Sequence, residues 1–132
     1  MKQIRTNPKL FIIDDDEATR ILIAEILDNL NVDIVEAECG KAALELFKMH
    51  NDDVFLVLLD IRLPDCTGWE LVKQLRVINS SVSIVALSAL SIVELAGKIQ
   101  GSGFNSYLSK PFDINDIERL VKFHTEFIAV MA

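Results

Sequence analysis

A chain of 132 residues can bury one hydrophobic core without disulfide or metal staples and is short for more than one domain. Thirteen Lys and Arg against 20 Asp and Glu leave a formal charge of −7, which argues against direct nucleic-acid binding because phosphates need a basic face. No run approaches the ~18 apolar residues of a membrane span, and MKQIRTNPK lacks the apolar centre of a signal peptide, so a soluble, cytoplasmic protein with no membrane contact is expected.

The first apolar run, Leu10 to Ile13, reads as a strand and leads directly into Asp14, Asp15, Asp16 and Glu17. Two like charges about 4 Å apart repel by roughly 4 kcal/mol at an effective dielectric of about 20, so such a cluster needs a cation, a proton or open water. Ala18, Ile21, Leu22, Ile26 and Leu30 then follow at helical spacing, which makes Asp16 and Glu17 helix-start residues favoured by the helix dipole. The second run, Val32 to Val35, ends on Ala37 and Glu38 and offers nothing comparable, and Ala43, Leu44 and Phe47 mark the next helix.

The third run, Val54 to Leu59, is followed by Asp60, and Leu71, Val72 and Leu75 mark the helix after it. The fourth, Ser83 to Leu87, is followed by Ser88, and Ser91 with Glu94 has capping-box spacing for the fourth helix. The fifth and weakest, Ser106 to Leu108, is followed by Lys110, and Asp113 can cap the last helix. That helix carries one apolar stripe at Ile117, Leu120, Val121, His124 and Ile128, and a second at Phe123, Phe127 and Val130. Two stripes exceed what one sheet covers, which implies a further domain, a homodimer or an output partner.

Continuously apolar strands imply burial on both faces, and intervening helices imply parallel crossovers. The expected architecture is α/β, a single domain over residues 1–132 with a five-stranded parallel sheet doubly wound by five helices. Ligands bind such sheets beyond the carboxyl ends of the strands, where the strand order reverses. If the strand order is 2-1-3-4-5, the first and third strands are neighbours, and Asp14, Asp15 and Asp60 then converge on one crevice flanked by Ser88 and Lys110. An all-oxygen cluster of this kind suits Mg²⁺, or Mn²⁺, which keeps waters and takes a phosphoryl oxygen beside its carboxylates. Lys110 and Ser88 can meet further phosphoryl oxygens, and Asp60 can act as the nucleophile of an aspartyl phosphate.

The segments FIIDDDEATR, VLLDIRLPDCTGWELV, VALSA and SYLSKPF, in that order and spacing, resemble the receiver domain of two-component response regulators. The resemblance covers essentially the whole chain and brings with it the flavodoxin-like fold and the strand order. It implies that Asp60 is the phosphoacceptor, Asp14 and Asp15 the metal pair, and the backbone carbonyl of Arg62 a further metal ligand. It also makes Ser88 the switch hydroxyl, Lys110 the family's lysine, Tyr107 the aromatic that changes rotamer, and Ala89 the small residue that leaves room for the phosphoryl group. Lys110-Pro111 matches a Lys-Pro pair whose cis bond would aim the lysine into the site, and Gly68 matches the glycine closing the loop after the acceptor strand.

Leu63, Cys66, Thr67 and Ser88 depart from commoner residues without removing a required group. Arg62 and Leu90, two beyond the acceptor and two beyond the switch hydroxyl, border the path of a hydrolytic water and are expected to set the acyl-phosphate lifetime. The implied partners are a histidine kinase or histidine phosphotransfer protein and an output protein, or the protein's own effector domain, on the face of fourth helix, fifth strand and fifth helix. Such a protein is not an enzyme beyond catalysing its own phosphorylation and dephosphorylation.

Two other functions compete. Asp14-x-Asp16 after a strand resembles the nucleophile motif of haloacid-dehalogenase-type phosphatases, with Asp14 as nucleophile and Asp16 as acid/base, although Ala18 stands where that motif has Thr or Val. A phosphate-independent adaptor would be marked by a lost acceptor, lysine or acidic pair, and all are present. Cys39 and Cys66 read as a small buried residue and a loop thiol in a reducing compartment, His50 as a helix-end residue, His124 as an inner-face residue and Trp69 as helix packing.

Overall fold

Strands that are apolar on both faces need a layer of helices on each, and that requirement sets the architecture. A computed structural model describes residues 7–131; the side chains of Ile92 and of residues 126–132 lie outside the description, and with them Phe127, Ile128 and Val130 of the last helix's two stripes. The elements in chain order are β1 (Lys9–Ile13), α1 (Glu17–Asp28), β2 (Asp33–Ala37), α2 (Gly40–His50), β3 (Val54–Asp60), α3 (Gly68–Ile78), β4 (Ser83–Ser88), α4 (Ile92–Ile99), β5 (Ser106–Ser109) and α5 (Ile114–Met131). All strand pairs are parallel, in the order β2-β1-β3-β4-β5. The fold is therefore the expected five-stranded, doubly wound one, with element ends moved by a residue or two.

Successive strand residues point to opposite layers, as the two-residue period requires. Phe11, Ile13, Val57, Leu59, Ile84 and Ala86 face α2, α3 and α4, where they meet Ala43, Phe47, Leu71, Val72, Leu75 and Leu95. Leu10, Ile12, Leu56, Leu58, Val85 and Leu87 face α1 and α5, where they meet Ile23, Ile26, Leu27, Ile117 and Val121. Each buried side chain of this size contributes about 1.5–3 kcal/mol, so the central strands β1, β3 and β4 are the rigid base from which the loops project. Phe11 and Phe47 stack across the first layer at 6.0 Å.

Arg76 of α3 ties down the short edge strand: it donates to the carbonyls of Gly103 and Val82 and to Asn105 Oδ1, and that same amide oxygen accepts the Ile84 N–H. On α5, Ile117 and Val121 are buried, Leu120 and His124 half-buried, and Phe123 stands 70% exposed. His124 Nδ1 meets the Leu120 carbonyl at 2.8 Å.

The helix starts follow their expected chemistry. Ser91 accepts the Glu94 N–H, and Asp113 and Asp116 exchange bonds, each carboxylate accepting the other's N–H. Asp16 is the N-cap of α1, accepting from the Ala18 N–H at 3.1 Å and the Thr19 hydroxyl at 2.8 Å. The Thr19 bond, outweighing desolvation and aided by the Ala18 N–H, holds the Asp16 carboxyl below its ordinary value of 3.8. A lowered carboxyl stabilises fully above its unfolded value and loses that contribution as pH falls through the folded one. Asp16→Ala is therefore expected to lower the urea midpoint at neutral pH, and the gap to wild type to close as pH drops below 3.8; a gap independent of pH would show that the ionised carboxylate is not the cap.

Candidate functional site

The reversal of strand order between β1 and β3 opens a crevice at their carboxyl ends, and three acidic side chains enter it. Asp14 follows β1 and is fully buried, Asp15 beside it is exposed, and Asp60 ends β3 at 8% exposure. One carboxylate oxygen from each lies within 4.8 Å of the others. Lys110, delivered by the loop after β5 through a cis Lys110-Pro111 bond, sets Nζ 2.7 Å from Asp14 Oδ2 and 3.0 Å from Asp60 Oδ2. A single ammonium thus bridges residues 96 and 50 positions away in sequence.

The remaining oxygens are fixed by backbone donors. Asp14 Oδ1 accepts the Asp16 N–H at 2.9 Å, and Asp60 Oδ1 accepts the Arg62 N–H at 3.0 Å. Burial pushes the Asp14 carboxyl above its ordinary value, an effect that the Lys110 and Asp16 bonds reduce without cancelling and that the Asp60 charge reinforces. For Lys110 burial works against the charge, but the bonds to Asp14 and Asp60 outweigh it and raise the ammonium above its usual value. Three carboxyl groups against one lysine carry a formal charge of two negatives, which matches one divalent ion held by hard oxygen donors. The donor set therefore fits a Mg²⁺-class cation.

Beside the carboxylates lies a cavity of about 310 Å³ lined by Asp15, Asp60, Ile61, Arg62, Ser88, Ala89, Leu90 and Lys110. Ser88 ends β4, is buried, and its Oγ accepts the Leu90 N–H at 3.0 Å. Its backbone carbonyl accepts the Lys110 N–H at 2.7 Å, which registers the lysine loop on β4. Tyr107 stands apart, half-buried on β5 beside a groove of about 640 Å³ that also includes Leu108, Arg119, Leu120 and Phe123.

Gly68 is needed where it stands: a Cβ there would fall 2.7 Å from the Asp60 carbonyl oxygen and 2.8 Å from Ile61 Cα. Its N–H donates to the Ile61 carbonyl at 2.6 Å, so α3 begins against the end of β3 itself. Thr67, in place of the commoner acid, caps α3 by accepting the Glu70 N–H. Trp69 packs edge-on against Phe104 at 5.4 Å. Cys39 is half-buried rather than buried, because it is the N-cap of α2 at the surface end of the crossover. Burial first, then the Asp65 charge, pushes the Cys66 thiol up to about 11, which disfavours the thiolate.

Two residues of this neighbourhood escaped the sequence reading. Arg20 Nη1 donates to the Asp14 carbonyl at 2.8 Å while its Nε faces Glu36 of β2 at 3.5 Å, which braces the turn that carries the acidic pair. Asp65 reaches from the β3–α3 loop to the start of α2 and accepts the N–H groups of Gly40 at 2.7 Å and Lys41 at 3.0 Å. The spacing of Arg20 from Asp14 on the first helical turns was a signal for the former. Nothing local announces the latter, because its partners lie 25 and 24 residues away.

The phosphatase alternative fits this arrangement poorly. Asp14 has no exposed surface and, unlike Asp60, does not line the adjoining cavity, and Asp16 is committed to the helix cap, so neither is placed as nucleophile or acid/base.

Residues 10–122 match the family model described as the response regulator receiver domain. Sporulation initiation phosphotransferase F of Bacillus subtilis is 30% identical over 116 residues, which cover 88% of this chain and 92% of that protein. Cell cycle transcriptional regulator CtrA of Caulobacter vibrioides is 31% identical over 104 residues, 79% of this chain and 44% of that protein, so the chain spans under half of that relative's length. The crystal structure of chemotaxis protein CheY4 of Vibrio cholerae has the same fold, with a TM-score of 0.81 over 89% of this chain and 98% of that one at 21% identity. Among the described residues no helix is long and apolar enough to cross a membrane.

Removing one partner of a largely buried charge cluster leaves the others uncompensated. Lys110→Ala is expected to destabilise the metal-free protein by about 2 kcal/mol, the scale of a hydrogen bond to a charged group, and Mg²⁺ to recover part of that loss. Chemical denaturation in EDTA and in Mg²⁺ tests this; wild-type stability of the variant in EDTA would show that the ammonium does not hold the carboxylates.

Proposed function

The chain belongs to the response regulator receiver domain family of two-component systems, and we propose that it is a phosphorylation-controlled switch whose acceptor is Asp60. The observation that carries this reading is the placement of Lys110 Nζ between Asp14 and Asp60 at the mouth of a cavity that also holds the Ser88 hydroxyl. The donor is a phosphohistidine on a kinase or phosphotransfer protein. A carboxylate oxygen of Asp60 bonds to phosphorus as the bond from phosphorus to the histidine nitrogen breaks, and the departing imidazole keeps that electron pair and takes a proton.

Asp14, Asp15, Asp60 and the Arg62 carbonyl would hold Mg²⁺, or Mn²⁺, which when bound supplies positive charge to the phosphoryl oxygens. The protein's own groups do the rest. Lys110 presents an ammonium that stays protonated, so it can follow a phosphoryl oxygen when Asp60 becomes an acyl phosphate. The Arg62 N–H orients Asp60. Ala89 leaves the space beside Ser88 open, and the Ser88 hydroxyl donates to a phosphoryl oxygen.

Drawing Ser88 toward the phosphate shifts the population toward a conformer in which Tyr107 turns inward. The face of α4, β5 and α5 then changes what it offers an output protein or effector domain, and the exposed Val93 and Phe123 are the apolar groups available there. The same face is available for a homodimer. The protein acts in the cytoplasm, and its only catalysis is of its own phosphorylation and hydrolysis.

Acetyl phosphate with Mg²⁺ is expected to add one phosphoryl group to the intact mass of wild type and none to Asp60→Asn, while Lys110→Ala loses the phosphorylation-dependent change in partner binding. Labelling that persists in Asp60→Asn and maps to Asp14 would favour the phosphatase reading, and no labelling of wild type would favour a phosphate-independent adaptor. Arg62 and Leu90 both line the cavity. Exchanging them together, Arg62→Asn with Leu90→Glu, is expected to change the decay rate of the acyl phosphate; an unchanged rate would remove them from control of its lifetime.

A further inference from the structure

The β3–α3 loop is a narrow hairpin with one end on the acceptor strand. Gly68 N–H bonds the Ile61 carbonyl, Arg62 and Thr67 pair as an antiparallel bridge, and Leu63 N–H bonds the Cys66 carbonyl at 3.2 Å. These bonds close the loop on itself, but none of them fixes its tip, Pro64 and Asp65, relative to the rest of the protein. The tip is fixed by Asp65, whose two carboxylate oxygens take the first two N–H groups of α2. Those donors are free to bond elsewhere because Cys39, the residue in the N-cap position of α2, makes no side-chain cap bond. A helix that lacks its own cap is thus capped from the loop that carries Arg62.

We propose that Asp65 is a positioning residue for the cation site: by clamping the loop tip to the start of α2, it holds the Arg62 carbonyl in place beside Asp14, Asp15 and Asp60. The inference rests on the cation-dependent reading above. The packing around the clamp supports it. A Cβ at Gly40 would press on the Cys66 sulfur and lie 3.2 Å from Asp65 Oδ1, so the loop lies directly against the first residue of α2 with no space between them. Pro64 limits the backbone on one side of the tip, and Gly68 fixes the other end against β3. Leu63 and Cys66 pack their side chains against the core on either side of the tip, and the Asp65 carboxylate adds the side-chain hydrogen bonds that tie the tip itself to α2. Groups that orient a ligand from behind typically change metal affinity by roughly ten- to a hundredfold when lost.

Helix capping and loop positioning can be separated. Cys39→Ser supplies α2 with a cap of its own, since a serine hydroxyl at that position can take an N–H of the first turn, but it does not tether the loop. Mg²⁺ titration by calorimetry on the full chain is expected to give a dissociation constant about tenfold weaker for Asp65→Ala, with Asp65→Asn intermediate because one oxygen acceptor remains. Adding Cys39→Ser to Asp65→Ala is expected to recover the melting temperature and leave the Mg²⁺ affinity weak. Phosphorylation by acetyl phosphate should likewise be slow in Asp65→Ala at low Mg²⁺ and approach wild type as Mg²⁺ saturates.

Unchanged Mg²⁺ affinity in Asp65→Ala would overturn the proposal, as would affinity restored by Cys39→Ser, which would reduce Asp65 to a helix cap. Equal weakening in the Asn and Ala variants would assign the effect to charge alone and overturn it too. If wild type itself neither binds Mg²⁺ nor accepts phosphate, the underlying functional reading fails instead, and the two failures are told apart by the wild-type titration.

Discussion

The structure depends on one electrostatic constraint: three carboxylates are gathered around a point at the sheet's centre, one of them fully buried, with a single ammonium among them. At an effective dielectric of about 20, each pair of charges at 4 Å costs or returns about 4 kcal/mol, so neither the cluster nor the lysine is stable there alone. Lys110 makes the cluster tolerable, and the cluster keeps Lys110 charged despite its burial. Backbone N–H groups of Asp16 and Arg62 hold one oxygen of Asp14 and Asp60, while Lys110 holds the other. The carboxylates are thereby prevented from rotating apart to relieve their repulsion.

That arrangement stores a need for positive charge, which is the usual sign that stability has been given up for function. The rest of the fold accommodates it. The three central strands are buried on both faces and end within a residue of the site, so the charges project from the part of the molecule least able to move. The strand-order reversal then supplies the crevice, because the chain leaves β1 toward one edge of the sheet and β3 toward the other. Arg20 and Asp65 brace the two loops from outside, each by bonding backbone groups rather than the three clustered carboxylates. They can stiffen the site without adding a competitor for the cation's place.

Most of this was legible in the sequence, and the reason is local. Runs such as Leu10 to Ile13 and Val54 to Leu59 state burial on both faces directly, and the polar residue after each run marks a strand end whatever the strand order. Ser91, Asp113 and Asp16 announce helix starts because a cap bonds its own next turn. The order of strands was not legible from periodicity, since every parallel arrangement buries the same runs; it came with the resemblance. The exposure of Cys39 and the reach of Asp65 were hidden for a related reason. Both concern which loop meets which helix, and that is decided by register between β2, β1 and β3 rather than by any neighbouring residue. The anchoring of β5 by Arg76 belongs with them, as its acceptors come from two separate segments, Val82 before β4 and Gly103 with Asn105 before β5.

In the proposed switch, the resting hydrogen bond of Ser88 would allow the hydroxyl to change partner without freeing the turn it holds. The Leu90 N–H occupies one lone pair of the Ser88 oxygen, which keeps the turn into α4 in register with β4. A hydroxyl has a second lone pair and one hydrogen to give, so a phosphoryl oxygen in the adjoining cavity can take that hydrogen without competing for the Leu90 bond. The turn can therefore follow the hydroxyl as a unit, carrying Ala89 and Leu90 with it, and the bond that holds it is kept. In that proposal a hydrogen bond from Ser88 to a charged phosphoryl oxygen would contribute about 1.5–3 kcal/mol toward the second conformer, against which any repacking of Tyr107 beside its groove would count.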